Sequence, residues 1–121
     1  MTKNGGAIIT TTNRLLINSH TGLYTIPYNN ILYCKANSSY TEIHLVNGGK
    51  ITYCKTLKQV ENVLQAPNIF YRIHKSFLIN KDFIFQLKYK PKPEVVLLNN
   101  IHVDVSFRKT GWLAGKLKED R

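Results

Sequence analysis

Apolar and polar positions alternate with a period of two over most of this chain, and the departures from that period are as informative as the alternation itself. Residues 40–46 are the cleanest case: Thr41, Ile43 and Leu45 share one face, while Tyr40, Glu42 and His44 share the other. Asn47-Gly48-Gly49 then supplies residues that accept positive φ, and residues 50–54 return, so the spacing predicts a β-hairpin. Upstream, residues 7–12, 14–17, 23–26 and 31–36 are further β-prone runs, split by Asn13, by His20-Thr21-Gly22 and by Pro27 with Asn29-Asn30. The period changes at Thr56-Leu57-Lys58-Gln59, a capping-box sequence, after which Leu57, Val60, Val63 and Leu64 fall on one helical stripe that ends at Ala66-Pro67-Asn68. Residues 83–89 predict another strand, in which Phe83 and Phe85 alternate as core residues do, as Tyr33 and Phe77 also do in their segments. Lys90-Pro91-Lys92-Pro93 is a connection, because prolines cannot donate to a central ladder. Residues 94–98 and 101–105 predict a second hairpin around a two-residue Asn99-Asn100 turn. Ser106 is placed to cap a short C-terminal helix carrying Phe107, Trp112, Leu113 and Leu117, with Gly111 and Gly115 counting against it. The pattern is that of a mainly β fold with one short internal helix and one terminal helix.

Three polar interruptions break this pattern. The most informative is in Phe70-Tyr71-Arg72-Ile73-His74-Lys75-Ser76-Phe77-Leu78-Ile79-Asn80, where His74-Lys75-Ser76 stands between two apolar stretches. Arg72, His74, Lys75 and Ser76 carry donors suited to phosphate oxygens and base edges. Asn37-Ser38-Ser39-Tyr40 is a loop of small hydrogen-bonding residues that ends on an aromatic, and Ser106-Phe107-Arg108-Lys109 puts two bases at a helix start. An arginine can bond guanine bidentately and an asparagine adenine. Helix-start amides and Lys75, Lys81 or Lys109 are suited to hold phosphates. Each segment alone reads equally as a solvated loop; their joint meaning depends on their sharing one surface.

Charge changes the picture next. The chain has 17 Lys and Arg against 7 Asp and Glu, a formal net charge of +10. From Met1 to Val60 the only acid is Glu42, and Asp82 is the only acid between Arg72 and Lys92. Such a balance suits a polyanionic partner, whose released counterions drive association. At 121 residues the chain is the size of one domain, with 43% hydrophobic residues to pack it and no run long enough to span a bilayer, so a soluble cytoplasmic protein is expected. Cys34 and Cys54 fit reduced thiols on strands, and His20, His44, His74 and His102 lack ligand spacing; His44 and His102 are expected on exposed faces. No metal, cofactor or catalytic set is expected, and an enzyme is not the reading.

At these residues the chain resembles the LytTR DNA-binding domain of bacterial transcription regulators. The resemblance covers residues 30–118. It rests on Ile31-Leu32-Tyr33 with Ala36 and Tyr40-Thr41, on Lys55-Thr56-Leu57, and on Phe70-x-Arg72-Ile73-His74-x-Ser76 with Ile79-Asn80. It continues through Ile84, Val103 and Val105-Ser106-x-Arg108. It implies an elongated fold of several antiparallel sheets, whose inter-strand loops enter successive major grooves of double-stranded DNA and bend it, often on paired direct repeats that a second copy shares. Carried over by position, base contacts come from the loop of Asn37, Ser39 and Tyr40, from Lys75 and from Arg108, while His74 and Ser76 set or contact the backbone. Lys35 stands where the family usually has an acid. Residues 1–29 are expected as an N-terminal β segment of the same domain and residues 30–121 as the LytTR-like domain. No receiver domain fits before Asn30, so the protein is expected to act alone or to be an excised domain. Two other readings stay open: a single-stranded nucleic-acid-binding β module that stacks bases on its aromatics, and a basic protein-interaction domain.

Overall fold

The computed structural model describes residues 13–119, and the predicted strand over residues 7–12 lies outside them. Ten strands and two helices follow in order: β1 (Arg14–Ser19), β2 (Gly22–Pro27), β3 (Ile31–Asn37), β4 (Tyr40–Leu45), β5 (Lys50–Tyr53), α1 (Leu57–Leu64), β6 (Phe70–His74), β7 (Phe77–Asn80), β8 (Ile84–Lys88), β9 (Glu94–Leu97), β10 (Ile101–Asp104) and α2 (Phe107–Glu119). They make three antiparallel sheets: the hairpin β1-β2, a five-stranded sheet in the order β5-β4-β3-β7-β6, and a three-stranded sheet β10-β9-β8. The mainly β reading holds.

The five-stranded sheet is covered on both faces, which sets the whole architecture. On one face Ile31, Cys34, Ile43, Phe70 and Leu78 pack with Leu57, Val60 and Leu64 of α1 and with Leu15, Ile17 and Ile26 of the hairpin. On the other, Leu32, Tyr71, Ile73 and Ile79 pack with Val95, Leu97 and Val103 of the small sheet and with Val105 and Leu113. Each such side chain contributes roughly 1.5–3 kcal/mol of transfer free energy. Alternating residues of one strand feed the two cores, Leu78 one and Ile79 the other, and bulges break that alternation locally. The β3–β4 register shifts between Ile31 and Tyr33, and the β6–β7 register shifts between Arg72 and His74. Asn80 is buried to 1% exposure, yet its amide donates to the carbonyls of Tyr28 and Ile31 at 3.1 and 3.0 Å and accepts from the Asp82 amide at 3.0 Å. It pins the start of β3 to the end of β7.

The capping box forms as the sequence predicts: Thr56 Oγ1 accepts from the Gln59 amide at 3.3 Å, and Gln59 Oε1 accepts from the Thr56 amide at 2.8 Å. Val63 departs from the predicted stripe and is exposed, since eight residues turn only three positions, Leu57, Val60 and Leu64, onto the sheet. Phe85 is not a core residue. The β8–β9 register shifts between Ile84 and Gln86, so Phe85 has no partner and is turned out of an edge strand, 82% exposed. The second hairpin turns over three residues, Leu98-Asn99-Asn100, rather than two, with Asn99 and Asn100 both at positive φ. α2 runs for 13 residues despite Gly111 and Gly115; Leu113 anchors it in the core and Lys116 and Lys118 sit in its last turn, where cations suit the helix dipole. Phe107, at the start of α2, is exposed.

Candidate nucleic-acid interface

The turn between β6 and β7 is held almost entirely by the residues that make its sequence distinctive. Arg72 donates from Nε to the His74 carbonyl at 3.0 Å and from Nη2 to the Lys75 carbonyl at 2.7 Å, and its Nη1 meets Glu61 Oε1 of α1 at 2.8 Å. All three nitrogens are committed inside the chain, so the donors that suggest a phosphate contact instead brace the loop. His74 Nδ1 accepts from the Ser76 amide at 3.0 Å, which makes the neutral ring an Nε2–H tautomer with its single N–H donor directed elsewhere. The Ser76 carbonyl accepts from the Ala36 amide at 2.9 Å, and the Ile73 carbonyl accepts from the Ser106 amide at 2.9 Å. The turn is thereby tied to β3 on one side and to the start of α2 on the other. Ser76 enters this framework through its backbone alone, and the Lys75 side chain is left outside it, exposed at the tip.

Beside it lies the turn between β3 and β4. Asn37 pairs with Tyr40, leaving Ser38-Ser39 as a two-residue turn in which Ser38 takes φ 59°. Because Lys35 pairs with Phe77 across β3 and β7, both turns emerge at the same end of the sheet. At a strand spacing of about 4.8 Å, two steps across the sheet separate their axes by roughly 10 Å. Asn37 is not a free amide: its Nδ2 donates to Glu42 Oε2 at 2.8 Å. That bond, and then the His44 bond to Oε1 at 3.0 Å, hold the Glu42 carboxyl below the usual glutamate range. His44 is half-buried rather than exposed, stacked on Tyr33 at 4.4 Å between ring centroids with an interplanar angle of 4°. His102, exposed as expected, meets Glu94 Oε1 at 2.8 Å. Among the described residues no His, Cys, Asp and Glu cluster is suited to a metal ion.

The start of α2 completes the surface. Arg72, His74, Lys75, Ser106, Arg108, Lys109 and Trp112 line an open groove of about 670 Å³. Lys109 Nζ lies 4.2 Å from the centroid of the Trp112 ring, and that ring meets Tyr71 edge-on at 5.3 Å. Lys35, Lys75 and Arg108 are exposed, and among the described residues none of the three enters an ion pair. The nearby acids are already matched, Glu42 by Asn37 and His44 and Glu61 by Arg72. The potential at this end is therefore positive and unneutralised.

The structure thus brings Asn37, Ser39 and Tyr40, His74, Lys75 and Ser76, and Arg108 and Lys109 to one end of the molecule. It does not bring Lys81 there. Lys81 follows β7 at the other end, roughly 16 Å along the strand from Ser76 at about 3.3 Å per residue, with its amide bonded to the Ile69 carbonyl. Trp112 and the bracing role of Arg72 were not legible from spacing, although Lys109 and Trp112 stand three apart, a helical neighbour distance. Cys34 is buried, which pushes its thiol up to about 12, and Cys54 is exposed; both are free.

These features define an antiparallel β domain with a basic end built from turns, distinct from a helix-turn-helix. Comparison with known proteins gives the family. A family model described as the LytTr DNA-binding domain matches residues 21–118, and the chain belongs to that family of DNA-binding domains. A solved structure from Bacillus cereus, described as the LytTr DNA-binding domain of a putative methyl-accepting/DNA response regulator, superposes with a TM-score of 0.73 at 20% identity, covering 87% of this chain and 96% of that one. At that identity the likeness speaks for the fold. No curated protein matches the chain in sequence. Among the described residues no helix is long and apolar enough to cross a membrane.

Proposed function

We propose that this chain is a sequence-specific transcription regulator that reads double-stranded DNA in the major groove with its inter-strand turns. One observation carries the reading: two hairpin tips and a helix start, far apart in sequence, meet at one end of the sheet with exposed, unpaired cations. A β-hairpin tip is narrow enough for the ~12 Å major groove. In this reading Ser39 and Tyr40, Lys75 and Arg108 meet base edges, with Asn37 shaping the first tip through Glu42. His74 Nε2, Ser76 and Lys109 meet the phosphate backbone. Lys81, at the other end, is assigned no contact. Of the expected N-terminal segment, residues 13–29 act as part of the same unit, because Leu15, Ile17 and Ile26 share a core with α1. Two copies occupy paired direct repeats, one per repeat.

The test is fluorescence anisotropy over a salt series, comparing a duplex selected from a random pool with a scrambled duplex and a single strand. The reading expects a preference for the selected duplex that survives rising salt, since phosphate contacts alone carry no sequence information. Equal, steeply salt-dependent binding to both duplexes overturns base reading. Tighter binding to the single strand would favour the stacking module, for which exposed Tyr40, Phe107 and Trp112 at this end supply the aromatic faces.

A further inference from the structure

Two phenylalanines stand almost wholly in solvent, Phe85 and Phe107, each 82% exposed. The exposure of Phe85 follows from the bulge that turns it out of edge strand β8. Phe107 has no such cause. It is the first residue of a regular helix whose buried positions are Leu113 and, in part, Leu117. At about 100° per residue, Phe107 lies roughly 120° around the helix from Leu113 and about 100° from Arg108. It therefore flanks Arg108 on the side away from Trp112, on the outward half of the first turn. No ring or cation contact inside the described chain engages it. The fold leaves a large apolar ring in water beside the residue best suited to read a guanine.

We infer that Phe107 is a specificity-determining residue whose ring packs on the C5-methyl of a thymine next to the base pair met by Arg108. The inference rests on the major-groove reading proposed above. A phenyl ring can form no hydrogen bond to phosphate or to a base edge, and the thymine methyl is the apolar group that base pairs present in the major groove. Arg108 and Phe107 together then read adjacent positions by two different chemistries, bidentate hydrogen bonding and apolar contact.

Replacing one thymine at a time by deoxyuridine in the selected duplex removes a methyl and leaves every hydrogen-bonding group in place. The expected result is a single position, adjacent to the one whose preference Arg108→Ala relaxes, at which uracil weakens the wild-type chain about fourfold, the value of one buried methyl group. Phe107→Ala loses that discrimination and binds thymine and uracil duplexes alike, with a circular dichroism spectrum matching wild type that shows it is folded. A uracil penalty of the same size in Phe107→Ala, or none at any position near the Arg108 base pair, overturns the assignment and leaves base reading by the turns standing. Failure of the wild type to prefer any duplex overturns both.

Discussion

Arg72 offers the sharpest separation between a residue that touches DNA and one that shapes the surface that does. Substituting Arg72→Met keeps much of the apolar stem and removes the guanidinium. Three interactions go: the bonds to the His74 and Lys75 carbonyls at 3.0 and 2.7 Å and the pair with Glu61 at 2.8 Å. The Glu61 pair is partly exposed and worth at most about 1 kcal/mol. Each carbonyl bond to a charged donor is worth ~1.5–3 kcal/mol when buried. The side chain of Arg72 is 26% exposed and both carbonyls can rehydrate in the variant, so about 1 kcal/mol apiece is the better figure. The total is near 2–3 kcal/mol, a fall in Tm of roughly 8–12 °C for a domain of this size. Calorimetry reads that directly. DNA binding discriminates further. With its charge matched by Glu61 and its nitrogens spent on the loop, Arg72 neutralises no phosphate, so Arg72→Met weakens selected-site binding by loosening the turn and leaves the salt slope unchanged. Lys75→Ala, at a tip, either keeps the slope, if Lys75 meets only a base, or lowers it by ~0.9 for each phosphate that the lysine neutralises. A slope reduced by about one unit in Arg72→Met, with Tm preserved, would refute the bracing role and restore Arg72 as a phosphate ligand.

Other predictions follow from neighbouring geometry. Arg108→Ala should cost about 1–3 kcal/mol on the selected duplex and relax preference at one position; uniform weakening on selected and scrambled duplex would show a phosphate contact instead. Asn80→Ala orphans two buried carbonyls and one amide and should cost about 3 kcal/mol by denaturant melts, without changing base preference below the melting range. A loss under about 1 kcal/mol would show that water replaces the amide freely. Glu42 has a folded carboxyl held low by Asn37 and then His44, so its contribution to stability is complete above the ordinary glutamate range near about pH 4.3 and disappears as pH falls through the lower folded value. Glu42→Gln should therefore flatten the acid limb of a stability–pH profile below about pH 4, and an unchanged limb would remove Glu42 from the linkage.

What could be read from the sequence divides along a physical line. β4 and β5 were legible because their alternation feeds one face, and α1 because Thr56 and Gln59 announce a reciprocal cap. The three polar interruptions were legible as a set. Their meeting was not, since it depends on β3 pairing with β7 across some forty residues. Bulges account for the clearest misreading of the core. An alternation count has no way to register the unpaired residue at Phe85, which reverses which face the ring occupies. Val63 escapes the pattern for another reason: a short amphipathic stripe admits a fourth apolar position that the sheet has no room to cover. Arg72 looks like a ligand because donor chemistry is visible in a sequence and the carbonyls that consume it are not.

The same bonds that spend Arg72, His74, Ser76 and Asn80 inside the fold free the positions between them. None of the hydrogen bonds that shape the β6–β7 turn uses the side chain of residue 75, and none that seats the start of α2 uses that of residue 107. Retuning the target therefore need not disturb folding. A library randomised at residues 39, 75, 107 and 108 on this backbone should yield mostly folded chains, making the domain a scaffold on which new operators can be sought by selection.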